Sequence, residues 1–364
     1  MTWLWLGLGL GVLTLGAELL VRGAVGLASA MRVSPLVIGL TVVAFGTSAP
    51  EFVVSGQSAL TGQPEIALGN VLGSNIFNIL LILGISALIV PLRVDQQLIR
   101  LDVPLMIAVS VTVYGMSRDG KLDRLEGALL FTGLISYTVW SIIKSRQESN
   151  PEVVAEYSEE FPERPKATWG YILVQAVILI VGLAMLVQGA NMFLDGAVKI
   201  ARAWGFSELV IGLTLVAAGT SLPEVATSVM AALKGERDLA VGNVVGSNLF
   251  NLLGVLGFTS LIAPNGIPVS PEAMSQDLPM MLIVAFACLP VFLTGHVIHR
   301  WEGAIFLTFH ILYTTFLVFT AQQWTAGVNM VTTILWVLVP LTVAAFAISL
   351  TREWRSPSGR ETSA

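Results

Sequence analysis

Long apolar runs broken by short polar stretches occupy most of the chain between Trp3 and Leu350. A membrane-crossing helix needs about 20 mostly apolar residues. On that count the pattern predicts helices over 3–30, 35–60, 66–90, 99–117 and 124–144, then over 169–200, 208–233, 239–263, 276–294 and 301–321. A further run, 328–350, follows without a partner in the first half. The long polar stretch 145–168 is acidic, contains prolines and reads as a linker. The expected organisation is a first transmembrane repeat over 1–144, a cytoplasmic linker over 145–168, a second repeat over 169–321, and an additional helix with a cytoplasmic tail over 322–364.

The two sets of five helices are copies. LVIGLTVVAFGTSAPEFVVSGQSAL at 36–60 returns as LVIGLTLVAAGTSLPEVATSVMAAL at 209–233, with 16 of 25 positions identical. IALGNVLGSNIFNIL at 66–80 returns as LAVGNVVGSNLFNLL at 239–253, also 173 positions later. Weaker echoes join residues 16–24 to 189–197, Asp102 and Pro104 to Asp277 and Pro279, and 124–131 to 300–307. Five is odd, so the second copy must enter the membrane from the opposite side, the inverted repeat common among secondary transporters. The expected fold class is an all-α polytopic membrane protein of two inverted five-helix repeats, ten core helices, with an eleventh at the C-terminus.

Composition agrees: 55% of the 364 residues are hydrophobic and 12% charged, about half the charge of a soluble domain. Cys288 stands alone, which excludes an intramolecular disulfide and a cysteine-based metal cluster. The opening MTWLWLGLG lacks a basic region and its span carries Glu18 and Arg22, so a retained first helix is expected. Thirteen Lys and Arg, among them Arg93, Lys144, Lys234 and Arg300, gather after helices 1, 3, 5, 7 and 9 and at the C-terminus. The other face holds five, Arg118, Lys121, Arg124, Lys199 and Arg202. The positive-inside rule then predicts an outside N-terminus, a cytoplasmic linker and C-terminus, and residence in the plasma (inner) membrane.

The repeated blocks also carry the candidate chemistry. Glu51 and Glu224 lie inside apolar spans, each following a proline and the pair Thr47-Ser48 or Thr220-Ser221. Proline cannot donate to the helix ladder, so the turn opens there. Open backbone at membrane depth is tolerated only where it is buried in protein or lines a wet cavity. Carbonyls, hydroxyls and a carboxylate would then converge as hard oxygen donors, suited to Ca2+, Na+ or Mg2+. Glu51 shares a helix face with Ser55, Glu224 with Ser228, Ser74 with Asn78 and Ser247 with Asn251. Gly69, Gly73, Gly242 and Gly246 are spaced to let helices approach closely. Each hydroxyl alone reads equally well as a bond to its own helix, and a lone Glu as a structural partner of Arg22. Two acids, each costing roughly 2.5–3.5 kcal/mol at the bilayer centre, argue for use. Glu18, Arg22, Asn191 and Asp195 carry less weight, and His296, His299 and His310 read as loop or packing residues.

With its paired GTSxPE and GNxxGSN blocks, the chain resembles the calcium/cation antiporter superfamily, within it the prokaryotic sodium/calcium exchangers, over residues 16 to about 321. The resemblance implies that helices 2, 3, 7 and 8 surround a midplane site for Ca2+ and Na+, with helices 1 and 6 sliding past them. It implies Glu51 and Glu224 as the principal Ca2+ ligands, and oxygen from Thr47, Ser48, Thr220 and Ser221. Ser74 and Ser247 would complete Na+ sites, with Asn78 and Asn251 at the centre. In well-studied relatives one repeat ends in Asp, whereas this chain has Asn at both 78 and 251. Two glutamates match one Ca2+ or two Na+, which weakens a three-to-one exchange and leaves proton coupling open.

The expected activity is Ca2+/Na+ antiport, with Ca2+/H+ or other cation/H+ antiport as the alternative. A cation channel would use the same oxygens as a filter, and a non-transporting sensor would survive loss of both acids. No His-x-x-x-His pair, activated Ser–His pair or phosphate-binding loop suggests an enzyme. No cofactor is expected beyond the transported ions, and the partners are inorganic cations and the lipid bilayer, not nucleic acid.

Overall fold

The computed structural model describes residues 2–31, 33–147, 168–206, 208–211, 214–215 and 217–355. All but the ends of the predicted linker, together with Arg32 and Arg360, fall outside these residues. The first repeat comprises α1 (Thr2–Met31), α2 (halves Pro35–Thr47 and Ala49–Leu60), α3 (Pro64–Ile89), α4 (Leu98–Asp119) and α5 (Arg124–Gln147). The second comprises α6 (Trp169–Ala203), α7 (Glu208–Ile211, Ala217–Gly219 and Leu222–Leu233), α8 (Arg237–Ile262), α9 (Ala273–Leu293) and α10 (Arg300–Ala321). The unpaired run becomes α11 (Thr325–Arg355). Among the described residues nine helices are long and apolar enough to cross a membrane, and bent α2 makes a tenth as one span.

The inversion is visible in how α1 and α6 pack. A Cβ added at Gly9 would lie 2.5 Å from Phe193 N, at Gly16 2.7 Å from Leu186 N, and at Gly23 2.7 Å from Leu179 N. As the number rises along α1 it falls along α6, so the equivalent helices run antiparallel. Glycine at seven-residue steps lets the backbones touch where any side chain would hold them apart. Two short ladders cross between repeats with the same symmetry. β1 (Leu92–Arg93) pairs antiparallel with β4 (Val297–Ile298), and β2 (Lys121–Leu122) with β3 (Ile267–Pro268).

Burial ranks the helices. The most apolar stretch of α8 is 100% buried and that of α3 72%, against 6% for α10 and 11% for α11. Helices α3 and α8 are therefore the centre, and α10 and α11 the lipid-facing rim. The expected glycine contacts hold on one side only. A Cβ at Gly246 would lie 2.6 Å from Leu40 Cα and one at Gly242 2.9 Å from Leu36 O. At Gly69 and Gly73 nothing among the described residues approaches within 4 Å, and both are exposed. The correction is physical: α8 packs on the first half of α2, while the matching face of α3 stays open.

Each repeat ties its fourth and fifth helices through an acid, buried at Asp102 and half-buried at Asp277. Tyr137 Oη donates to Asp102 Oδ1 at 2.9 Å, and Tyr313 Oη to Asp277 Oδ1 at 2.8 Å. Removing a donor from a buried carboxylate costs about 1–3 kcal/mol. Tyr137→Phe is expected to lower the melting temperature by several degrees in detergent while sparing transport, as read by thermal-shift and uptake assays on the same preparation.

Candidate ion-binding site

Two helix breaks build the site. Pro50 and Pro223 occupy the first turns of the half-helices Ala49–Leu60 and Leu222–Leu233, where a missing N–H leaves no bond unmade. The junction residues leave helical geometry, Ser48 at φ −81, ψ 10 and Ser221 at φ −91, ψ 8. At α2 the axis bends by 46°. Glu51 and Glu224 follow at once, in the first turns of the new helices, where free N–H groups and the helix dipole favour negative charge.

The repeats exchange partners across this centre. Ser48 Oγ donates to Glu224 Oε1 at 2.8 Å, and Ser221 Oγ to Glu51 Oε1 at 2.8 Å. Ser74 Oγ adds a weaker contact to Glu51 Oε1 at 3.5 Å and lies 3.2 Å from Ser221 Oγ. Thr47 Oγ1 donates to Asn243 Oδ1 at 3.2 Å, and Thr220 Oγ1 to Asn70 Oδ1 at 3.5 Å. Asn70 and Asn243 then donate from Nδ2 to Ser55 and Ser228, at 3.0 and 2.9 Å. Each of these contacts has a twin in the other repeat except those of Ser74, whose counterpart Ser247 keeps a buried, unpartnered Oγ; the bond from Asn70 Nδ2 to the Glu51 carbonyl, 3.3 Å, is likewise unmatched.

Asn78 and Asn251 belong to a second layer. Asn78 opens the π-helical turn Asn78–Leu83, and Asn251 lies in the π-turn Phe250–Leu256. A π-turn adds a residue to the helix and re-aims its side chains, and such turns gather at functional sites. Asn78 Nδ2 donates to Asn248 Oδ1 at 3.0 Å, and Asn251 Nδ2 to Asn75 Oδ1 at 3.2 Å.

The unmet groups at the centre are oxygens, mostly pure acceptors. Glu51 Oε2, Glu224 Oε2, Asn78 Oδ1, Asn251 Oδ1 and Ser247 Oγ are buried without a hydrogen-bond partner. All five residues are 0–3% exposed, and neither carboxylate forms an ion pair among the described residues. Buried acceptors without donors call for a cation, since buried charge persists only when paired or ligating a metal. Oxygen-only donors with two acids fit Ca2+ or Na+, not a soft metal. No three His, Cys, Asp or Glu side chains gather anywhere among the described residues.

The ten residues singled out from the sequence fall into several bonded groups on α2, α3, α7 and α8: Ser48 bonds Glu224, Ser221 and Ser74 bond Glu51, Thr47 and Thr220 reach Asn243 and Asn70, Asn78 and Asn251 bond Asn248 and Asn75, and Ser247 Oγ is buried without a partner. The site is unevenly covered. Thr47 and Asn243 are buried, whereas their twins Thr220 and Asn70 are partly exposed. The weaker candidates lie elsewhere: Glu18 pairs with Lys234 at 2.8 Å, and Arg22, Asn191 and Asp195 are exposed. His299 caps α10, His296 sits in a turn at φ 53, and His310 packs edge-on against Phe77. Asn70, Asn75, Asn243 and Asn248 are the participants that sequence reasoning passed over. Their doubling in GNxxGSN was the available signal.

The sequence model described as sodium/calcium exchanger protein matches residues 1–143 and 174–319. The putative antiporter CaxA of Alkalimonas amylolytica is 42% identical over 311 residues, covering 84% of this chain and 95% of its own. The sodium/calcium exchanger MaX1 of Methanosarcina acetivorans is 30% identical over 338 residues, covering 84% and 95%. A solved structure of the sodium-calcium exchanger NCX_Mj, soaked with zero Na+ and Ca2+, superposes with a TM-score of 0.70 at 33% identity, covering 85% of this chain and 97% of that one.

Proposed function

Because the chain belongs to the sodium/calcium exchanger family, we propose that it is an antiporter that moves Ca2+ against Na+ by alternating access, with Glu51 and Glu224 as its central ligands. It is a multi-pass membrane transporter of cations and not an enzyme. The observation that carries the finer reading is the set of buried oxygens without donors, two carboxylates and two amide carbonyls. Glu51 and Glu224 supply the charge, Thr47, Ser48, Thr220 and Ser221 the near hydroxyls, and Ser74, Ser247, Asn78 and Asn251 the remaining oxygens. Antiport follows if the protein changes facing only when a cation set has neutralised the acids, so that binding to the two states couples the ions. Proton coupling is the second reading, favoured by the absence of a third acid among the site's polar residues.

The charge bias places the N-terminus outside and the linker and C-terminus inside. In that orientation Thr220 and Asn70 lie on the outer side of the glutamates and Thr47 and Asn243 on the inner side. The partly exposed outer pair and buried inner pair then describe an outward-facing state.

The test is labelled Ca2+ uptake by vesicles of purified protein, loaded with Na+ and diluted into Na+-free buffer. Uptake that needs internal Na+ is expected. Uptake driven by an acid interior instead would replace Na+ by H+ as the coupling ion, and Ca2+ entry with no gradient dependence would point to a channel. Asn251→Asp adds a charge that favours Na+ but loses the donor to Asn75 Oδ1, and should shift the half-saturating Na+ concentration several-fold; an unchanged Na+ dependence would remove position 251 from the Na+ path.

A further inference from the structure

Four asparagines interlock where α3 meets α8. Asn75 Nδ2 donates to the backbone oxygen of Asn248 at 3.4 Å, and Asn248 Nδ2 to that of Asn75 at 3.4 Å. These reciprocal bonds decide which way both amides face, because a flip would set each side-chain oxygen against a backbone oxygen. Each Nδ2 also lies near a methionine sulfur, Met281 Sδ at 3.9 Å and Met106 Sδ at 3.6 Å, again acceptors. The outward oxygens of Asn75 and Asn248 then take the amide hydrogens of Asn251 and Asn78, at 3.2 and 3.0 Å. Nothing is left for Asn78 Oδ1 and Asn251 Oδ1, which are buried and unpartnered on helices that also carry Ser74 and Ser247.

The lattice also discriminates against a third acid. A carboxylate at position 251 or 78 would press one oxygen against Asn75 Oδ1 or Asn248 Oδ1, acceptor against acceptor. An amide satisfies the contact and still offers a carbonyl, without charge.

We propose that Asn75 and Asn248 are positioning residues that hold Asn78 and Asn251 as neutral oxygen ligands, so that the site carries a charge of −2 and exchanges one divalent cation for two monovalent ones. The inference rests on the reading that Glu51 and Glu224 bind the transported ions, and it adds that the cycle moves no net charge. Sets bearing +2 neutralise the buried acids, while an unmatched charge would have to cross exposed to apolar surroundings, which burial of an unpaired charge opposes.

The decisive experiment measures the Ca2+ plateau in Na+-loaded vesicles with K+ and valinomycin clamping the membrane at 0 or 100 mV. An exchange carrying one net charge per cycle would shift the equilibrium Ca2+ ratio roughly fifty-fold per 100 mV. No shift is expected here. Na+-driven uptake with a fifty-fold shift would overturn charge matching while leaving Na+/Ca2+ exchange intact. If only an acid interior drives uptake, the Na+ reading fails, and the same clamp decides charge matching for two protons. Uptake driven by neither gradient would overturn both.

The positioning role is read separately from half-saturating Ca2+. Asn75→Ala should raise it about 10- to 100-fold, the usual effect of removing a group that orients a ligand. If Asn75 acts through Asn251, the double variant Asn75→Ala/Asn251→Ala costs no more than Asn251→Ala alone. Additive losses would assign Asn75 a merely structural role. Should Asn75→Ala fail to yield monodisperse protein, Asn248→Ala with Asn78→Ala tests the symmetric arm.

Discussion

Replacing Glu51 with Gln should weaken Ca2+ binding by two to three orders of magnitude and reduce exchange to background. Glutamine keeps an oxygen for Ser221, which donates to Glu51 Oε1 at 2.8 Å, so the fold around the break is preserved and only the charge is lost. Losing one partner of a buried charge pair costs about 3–5 kcal/mol. With Ca2+ bound, that leaves one positive charge uncompensated beside carboxylates that are fully buried. Glu224→Gln should behave alike, because Ser48 holds Glu224 Oε1 at the same 2.8 Å. Melting temperature with and without Ca2+ distinguishes loss of binding from loss of fold. The natural protein should be stabilised by Ca2+ through mass action, and the Gln variants should melt no earlier than ion-free natural protein yet gain nothing from Ca2+. A variant that retained more than a tenth of the exchange would remove that glutamate from the ligand set.

Gly189→Val should be the most damaging change outside the site. A Cβ at Gly189 would run into Leu13, with Leu13 Cα 2.7 Å and Gly9 O 3.0 Å away. The obstructing atoms are backbone, which cannot swing aside as a side-chain tip would. Gly182 meets Leu20 in the same way, and Gly196 meets Leu6, so α1 and α6 touch along their length. Overpacking at one such contact costs typically 1–3 kcal/mol. The expected result is a melting temperature lower by several degrees, with transport falling as the two helices separate. Gly11→Val is the control, since a Cβ there meets nothing within 4 Å. Equal melting temperatures for the two variants would show that this seam does not hold α1 to α6.

Much of this was legible in the chain because its causes are local. Proline removes a bond from the helix ladder, and beside a Gly-Thr-Ser run Pro50 and Pro223 announced both openings, whereas Pro290 and Pro340 lie inside helices that run on. An acid within an apolar run announced where charge must be used, and the 173-residue offset announced that there are two such places. The inversion followed from counting five helices per copy, and α1 lying antiparallel to α6 agrees with it. Close backbone contact occurs at Gly242 and Gly246 but, among the described residues, not at Gly69 and Gly73, although the four sit in equivalent motifs. Sequence equivalence does not reveal which of two symmetric faces is covered, because the repeats hold unequal positions in any one facing state.

By itself the sequence determined the duplication and the inversion, and it put the two helix breaks and their glutamates in matching places; of the eleven spans it predicted, nine, or ten with bent α2, are long and apolar enough among the described residues. Each depends on residue type and spacing along one chain, and hydrophobic burial with backbone bonding acts on those directly. Only the tertiary structure decided that Asn75 and Asn248 fix the amides of Asn251 and Asn78, that Ser48 and Ser221 cross to the opposite glutamate, and that one end of the site is more open than the other. Those bonds join residues 170 to 176 positions apart. Their partners are chosen by how two antiparallel copies pack and by π-turns that rotate side chains away from simple helical spacing.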